Sequence, residues 1–307
     1  MGNLFHPKNT LISMWKTLCD THPAYASYVS IGKSYNGQDI WLFRLGNPNG
    51  GCVLWDGSMH GWEDIGSEVE FLIAQWLLSG DAKANELLQT NYCLFMPIVN
   101  MDSTERGNAN YAECPADAPN GGGVDLNRNF VTGWSRVACR SGDYGISSGA
   151  IAGSETETKA VRNVLQTYKP AIYVNTHYGG GPFLASCVSN TLTTLIKNRI
   201  LQLSPSFAWA LNSGGTGGGY AVADAVGFGA NSWIWEIASD TLPFRSGSGG
   251  AYMHTAQTLT DVQTWYYPKM LPVFIAMCEA CAITVTRKYT FKQWQDGDVN
   301  PTKTVVL

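Results

Sequence analysis

The chain has 307 residues, 45% of them hydrophobic and only 14% charged, with a formal net charge of −4. That length allows two domains or one large α/β sheet, and the charge balance leaves no basic field for nucleic acid or anionic lipid. No run approaches the ~18 apolar residues of a membrane span, and the start, Met1-Gly2-Asn3-Leu4, has neither the basic head and apolar stretch of a signal peptide nor, with His6 at position 6, a lipidation motif.

Residues 10–19 read as an amphipathic helix with Leu11, Met14, Trp15 and Leu18 on one face, stopped near Pro23. Two strand-like runs, 27–33 and 39–45, join through Asn36-Gly37, a dipeptide that supplies the positive φ of a tight hairpin. Residues 52–56 form a short buried strand, 67–79 a helix closed by Gly80, and 91–96 a second buried strand ending at Pro97. A long loop rich in Asn, Gly and Pro follows, over about 100–123. Ser154-x-x-Glu157 has the spacing of a capping box and opens a helix to about 168. A strand at 171–176, a helix near 190–202, a glycine-rich loop at 213–219 and a strand at 232–237 come next. A Gly/Ser loop at 246–250 precedes a final helix over 261–283, and 284–307 reads as polar and partly extended. Alternating strands and helices without a dividing linker predict one α/β domain, a mixed, mostly twisted central sheet flanked by helices. Its core covers about 10–285, and 286–307 is an extension without an assigned role.

The eight cysteines are scattered. Cys52 and Cys93 lie in apolar runs and read as buried thiols, and Cys278-x-x-Cys281 reads as two core cysteines on a helix. Cys114 and Cys139, in loop-like sequence, are the pair expected to form a disulfide if any does.

Of five histidines, His60 and His177 each follow a short apolar strand, where open α/β sheets place their ligand crevice. His60-Gly-Trp-Glu63 sets an imidazole and a carboxylate three residues apart on a loop, and His177 can add a third donor. Two histidines and one glutamate suit a catalytic zinc with a fourth position for water. Taken alone, a His-x-x-Glu pair is common by chance, and His177 could equally be a hydrogen-bonded residue at a strand end. His6, His22 and His254 read as ordinary surface or loop histidines.

Residues 123–130, Gly-Val-Asp-Leu-Asn-Arg-Asn-Phe, placed between His60-x-x-Glu63 and His177, give the chain an order of motifs that resembles the zinc carboxypeptidase A family. Residues 31–46 resemble that family's first hairpin, 98–110 its strand-to-loop segment ending in an arginine, Ser154 to Thr158 the start of its mid-chain helix, and Trp233-Ile234-Trp235-Glu236 its late strand carrying a glutamate.

The resemblance implies one zinc ion per chain on His60, Glu63 and His177, and hydrolysis of a C-terminal peptide bond by metal-activated water. Glu236 would be the general base, and its neighbours Trp233, Trp235 and Ile237 suggest an apolar wall around it. Asn127 and Arg128 would bind the substrate's terminal carboxylate, Arg106 would stabilise the oxyanion, and Asp125 would orient His60 from behind. Without the resemblance, Arg106, Arg128 and Asp125 read as solvated loop charges. The family places a mobile tyrosine over the bound terminus; here Tyr220 is the only tyrosine between 205 and 231, and Ala223 falls near the pocket-floor position.

The expected partner is a peptide or amide with a free C-terminal carboxylate, with no nucleic acid or membrane contact, and the protein is expected to be a monomer. Two other functions fit the same residues: a cell-wall γ-D-glutamyl-diaminopimelate peptidase or amide deacylase, suggested by the open 213–219 loop, and a non-catalytic zinc-stabilised binding module. Low charge and the possible Cys114–Cys139 bridge lean towards secretion.

Overall fold

The computed structural model describes residues 5–61, 63–102, 124–136, 147–177, 183–207, 210–213, 218–236 and 258–295. Helix α1 (Lys8–Asp20) leads into the hairpin of β1 (Ala26–Lys33) and β2 (Asp39–Gly46). Gly37 takes φ 83° at its turn, as the Asn-Gly dipeptide requires. Asp102 ties that turn down, accepting from Ser34 Oγ at 2.6 Å and from the Asn36 N–H at 2.7 Å. Strand β3 (Gly51–Asp56), helices α2 (Asp64–Leu77) and α3 (Ala82–Thr90) and strand β4 (Asn91–Met96) follow. Then come α4 (Thr156–Tyr168), β5 (Ile172–His177), β6 (Phe183–Ser186), α5 (Thr191–Leu203), β7 (Ala210–Ser213), α6 (Ala221–Gly227) and β8 (Asn231–Glu236). The described chain closes with a short helical turn α7 (Leu259–Asp261), a π-turn at Val262–Tyr266 and the long α8 (Tyr267–Gln295).

All eight strands form one mixed sheet in the order β1-β2-β4-β3-β5-β8-β6-β7. Its centre, β4-β3-β5-β8, is parallel, while the hairpin on one side and β6 on the other pair antiparallel. Residues alternate between two cores. On one face Trp15, Trp55, Trp233, Trp235, Phe95 and Phe274 pack under α1, α2, α3, α5 and α8. On the other, Leu54, Leu94, Tyr173 and Phe130 meet α4 and α6. Cys93 and Cys278 lie 4.0 Å apart sulfur to sulfur and Cys281 is buried too, so these are core thiols, as expected, whereas Cys52 is only partly buried.

Two expectations about elements need correction, and one helix is additional to those read from the sequence. The Ser154/Glu157 capping box is not made. Glu155 takes the N-cap position and no side chain caps the helix. Ser154 Oγ instead accepts from Asn129 Nδ2 at 3.0 Å, and the Glu157 carboxylate accepts the Tyr35 N–H at 2.8 Å, so both side chains serve long-range ties. The additional helix, α3, fills the connection between 80 and 91; Asp81 caps it, accepting from the N–H groups of Lys83 and Ala84 at 2.9 and 3.0 Å. The other correction is that residues 284–295 are helical rather than extended. Helix propagation adds one hydrogen bond per residue fixed, which carries α8 through Thr284-Val285-Thr286 against their weak propensity. The pair Cys114 and Cys139 lies outside the described residues. Among the described residues no helix is long and apolar enough to cross a membrane.

Candidate metal centre

The site forms where β3, β5 and β8 end. The loop after β3 is held as if it were a further strand: the Gly57 N–H donates to Met96 O at 3.0 Å and the Asn100 N–H to Ser58 O at 2.9 Å. Ser58 adopts φ 45°, a strained value for a non-glycine residue. Its hydroxyl lies 2.7 Å from Ser67 Oγ on α2. A one-turn bond from the Glu63 N–H to His60 O at 3.0 Å then aims both side chains the same way. Gly66 lets α2 start directly against β5, because a Cβ there would lie 2.5 Å from Thr176 Cγ2. That close approach brings Glu63 to His177.

The ligand atoms of His60, Glu63 and His177 all lie within 4.8 Å of one another, and the three residues are buried. Glu63 Oε1 is 2.9 Å from His60 Nδ1, Glu63 Oε2 is 2.9 Å from His177 Nδ1, and the two Nδ1 atoms are 3.3 Å apart. The far nitrogens meet acceptors: His60 Nε2 lies 3.3 Å from Asp125 Oδ1, and His177 Nε2 contacts Asn175 Oδ1. Hydrogens on the two Nε2 atoms leave both Nδ1 lone pairs and a carboxylate facing one buried point. Such a donor set calls for a cation and fits a zinc ion. The electrostatics agree. Burial would lower the proton affinity of His60, but the charges of Glu63 and Asp125 outweigh it and raise it well above the ordinary value. Burial would raise Glu63, yet the two histidines hold it below the ordinary carboxylate range.

The motif around 125 folds as a short 3-10 turn, Leu126–Arg128. Asp125 caps it, accepting the Asn127 N–H at 2.8 Å with the same Oδ1 that faces His60. Arg128 lies half-exposed, Nη1 3.7 Å from Asp125 Oδ2, with its guanidinium over the Tyr220 ring at 4.3 Å. Tyr220 stands at the N-cap of α6. Asn127 is turned inward: its Oδ1 accepts the Ala221 N–H at 3.0 Å and its Nδ2 lies 3.0 Å from His177 Nε2. Its oxygen is therefore engaged with the start of α6, whereas its Nδ2 faces a His177 Nε2 that carries its own hydrogen and so accepts nothing from it.

Glu236 ends β8 opposite His177 in the parallel ladder. Paired residues of a parallel ladder share a face, so Glu236 stands on the site side. Trp233 and Trp235 do not wall it, contrary to expectation: strand alternation sends them into the opposite core with Trp55. Ile237 and Arg106 lie outside the described residues. Ala223 is buried, and the adjacent Asp224 is committed to Arg162 Nε at 2.5 Å and the Thr132 N–H at 2.6 Å.

Sequence reasoning missed the groups beneath the site. Asn175 Nδ2 donates to Asp56 Oδ1 at 2.7 Å, and the Tyr173 hydroxyl donates to Asp56 Oδ2. Burial pushes Asp56 up to about 6, against the pull of the Asn175 and Tyr173 hydrogen bonds. The available signal was period two: Tyr173, Asn175 and His177 lie at alternate positions of one strand.

A family model described as zinc carboxypeptidase matches residues 11–215. Over 175 residues the chain is 28% identical to carboxypeptidase Z of Mus musculus, a match covering 50% of this chain and 27% of that protein. It is 26% identical over 184 residues to carboxypeptidase B of Bos taurus, covering 54% of this chain and 43% of the relative. The matches thus span between about a quarter and under half of these relatives' length. Among solved structures, carboxypeptidase A from Helicoverpa armigera aligns with a TM-score of 0.70 at 18% identity, over 90% of this chain and 73% of that one, a likeness of fold.

Proposed function

This chain belongs to the zinc carboxypeptidase family, and from that premise we propose that it removes the C-terminal residue of a peptide by zinc-dependent hydrolysis. The observation that carries the reading is convergence. His60 Nδ1, His177 Nδ1 and the Glu63 carboxylate face one buried point, and Glu236 ends the neighbouring strand in register with His177. Bound there, zinc would lower the pKa of its water towards ~7 and polarise the scissile carbonyl.

The remaining tasks fall to the chain. The Glu236 carboxylate takes the proton of the attacking water and returns it to the departing amine. Arg128 offers a planar fork that matches a terminal carboxylate in two parallel hydrogen bonds. To reach a substrate it keeps its stack on Tyr220 and swings its Nη groups off the carbonyl of Asn127, which Nη1 contacts at 3.0 Å. Asn127 fixes the start of α6, and so Tyr220, through its oxygen, and beside Arg128 it offers its Nδ2 hydrogens to the terminal carboxylate, as the family resemblance implies. Asp125 holds His60 in the tautomer that leaves Nδ1 bare. Arg106 is assigned to the developing oxyanion by family resemblance.

The test is a panel of N-blocked dipeptides, their C-terminal amides and γ-D-glutamyl-diaminopimelate peptides, assayed with zinc and with a chelator. Release of the terminal amino acid only from free-acid peptides, lost with chelator and restored by zinc, is expected. Cleavage confined to the diaminopimelate peptides would move the substrate to the cell wall, and no zinc-dependent release from any member would overturn the reading.

A further inference from the structure

Behind His177, on the side away from the ligand point, runs a buried chain of polar groups that hydrolysis does not consume. Asp56 and Asn175 are partners in the β3–β5 ladder, and Tyr173, Asn175 and His177 project from alternate positions of β5 on the same face. Asp56, Tyr173 and Asn175 are fully buried and His177 is 4% exposed. Four polar side chains with almost no water contact must satisfy one another.

We propose that Asn175, backed by Asp56 and Tyr173, is the positioning unit of His177 and sets how tightly the site holds zinc. The inference rests on the reading that His60, Glu63 and His177 bind the metal.

The argument is one of donors and acceptors. Asp56 as a carboxylate only accepts, and it takes the Tyr173 O–H on Oδ2 and an Asn175 N–H on Oδ1 at 2.7 Å. That second bond fixes which way the amide faces. Flipped, Asn175 would set its own oxygen against Asp56 Oδ1, two acceptors at hydrogen-bond distance. With the amide fixed, Asn175 Oδ1 faces His177 Nε2 and requires a hydrogen there. Nδ1 is then bare and available to a metal. The nearby Asn127 Nδ2, 3.0 Å from the same Nε2, would favour the opposite tautomer, with the hydrogen on Nδ1. Asp56 decides the competition, because its charge locks and polarises the Asn175 amide, making its oxygen the stronger partner. The two histidines thus lean on carboxylates in different ways: His60 directly on Asp125, His177 on Asp56 through an amide.

The test uses the full chain and measures zinc affinity by competition with a chromophoric chelator, alongside the visible spectrum of the cobalt(II)-loaded protein and the melting temperature of the metal-free form. Asn175→Asp sets two carboxylates against each other, Asp56→Asn removes the charge that holds and polarises the Asn175 amide, and each is expected to weaken zinc about 10–100-fold. The double variant D56N/N175D reverses the bond between positions 56 and 175 and keeps the other two: the amide now at 56 accepts from Tyr173 and donates to the carboxylate now at 175, which accepts from His177. It should recover most of the lost affinity and the cobalt spectrum. Tyr173→Phe, the mildest change, should weaken zinc less than either single exchange. A merely structural role predicts lower melting temperatures with unchanged zinc affinity and cobalt spectrum in the folded variants. Single exchanges that bind zinc like the wild type, or a double variant no better than the singles, overturn the proposal. Should the singles fail to fold, the double variant and Tyr173→Phe decide it by the same readouts. Wild-type protein that binds no zinc overturns instead the metal reading on which the proposal stands.

Discussion

Strands β3, β5 and β8 present two unlike surfaces from one backbone. Trp55, Val174, Trp233 and Trp235 go to one face and meet Phe274 and the helices behind it. Asp56, Asn175, His177 and Glu236 go to the other. On the first face position is fixed by volume, through non-directional contacts that tolerate exchange between shapes of equal size. On the second it is fixed by donor and acceptor count, so an exchange that preserves shape can still remove function. Substitutions that separate volume from polarity distinguish the two faces.

The largest expected effect comes from a change that alters almost no volume. Glu236→Gln on the site face should lower kcat for peptide hydrolysis by about 10²–10⁴, the usual share of general base catalysis. Zinc content and melting temperature should stay at wild-type values. A loss under tenfold would remove Glu236 from its assigned role and shift the burden to another base.

How much of this was legible in the sequence follows the same division. The apolar runs at 52–56, 91–96 and 171–176 announce the central strands because volume and pattern are local properties. His60-x-x-Glu63 and His177 stand out because histidines are few, and the motif order supplies the rest. Asp56 and Asn175 stayed hidden, since each sits inside an apolar run and only the β3–β5 register sets them side by side. The Trp233/Trp235 wall was misread for want of strand alternation, which sends neighbours of Glu236 to the far core. Ser154 and Glu157 have the spacing of a cap, but Asn129 and Tyr35, far off in sequence, recruit them. The helix at Ala82–Thr90 had its signal, Asp81 as N-cap with Ala84, Leu87 and Leu88 at helical spacing, but a single turn-and-a-half of apolar pattern is a weak one.

On the apolar face the corresponding change is one of volume. Phe274 is fully buried, edge-on to Trp55 at 5.6 Å and stacked on Phe95 at 5.9 Å. Phe274→Ala should cost about 3–5 kcal/mol. For a domain of this size that corresponds to a melting temperature lower by roughly 6–10 °C. Below the transition, zinc affinity and kcat should remain within about twofold, because Phe274 and the two rings it packs on, Trp55 and Phe95, are not among the donors and acceptors of the site. A tenfold fall in kcat in the folded variant would show the two faces to be coupled.

The smallest effect is the sharpest discriminator, because it applies one operation to both faces. Trp55 is fully buried, and among the described residues its indole N–H meets no acceptor. Trp55→Phe removes that unsatisfied donor, which should return about 1–3 kcal/mol, and opens a cavity whose cost is of similar size. The two nearly cancel, so the unfolding free energy from denaturant titration should change by less than about 1 kcal/mol in either direction. Tyr173→Phe also trims a polar atom from a buried aromatic, but its hydroxyl is donated to Asp56. There the deletion leaves a buried carboxylate short of a donor, and stability should fall by about 1–3 kcal/mol with no compensating gain. A polar atom on the tryptophan face is thus a cost the packing absorbs, whereas on the histidine face it is part of the structure. Equal losses for the two variants would show that volume governs both faces.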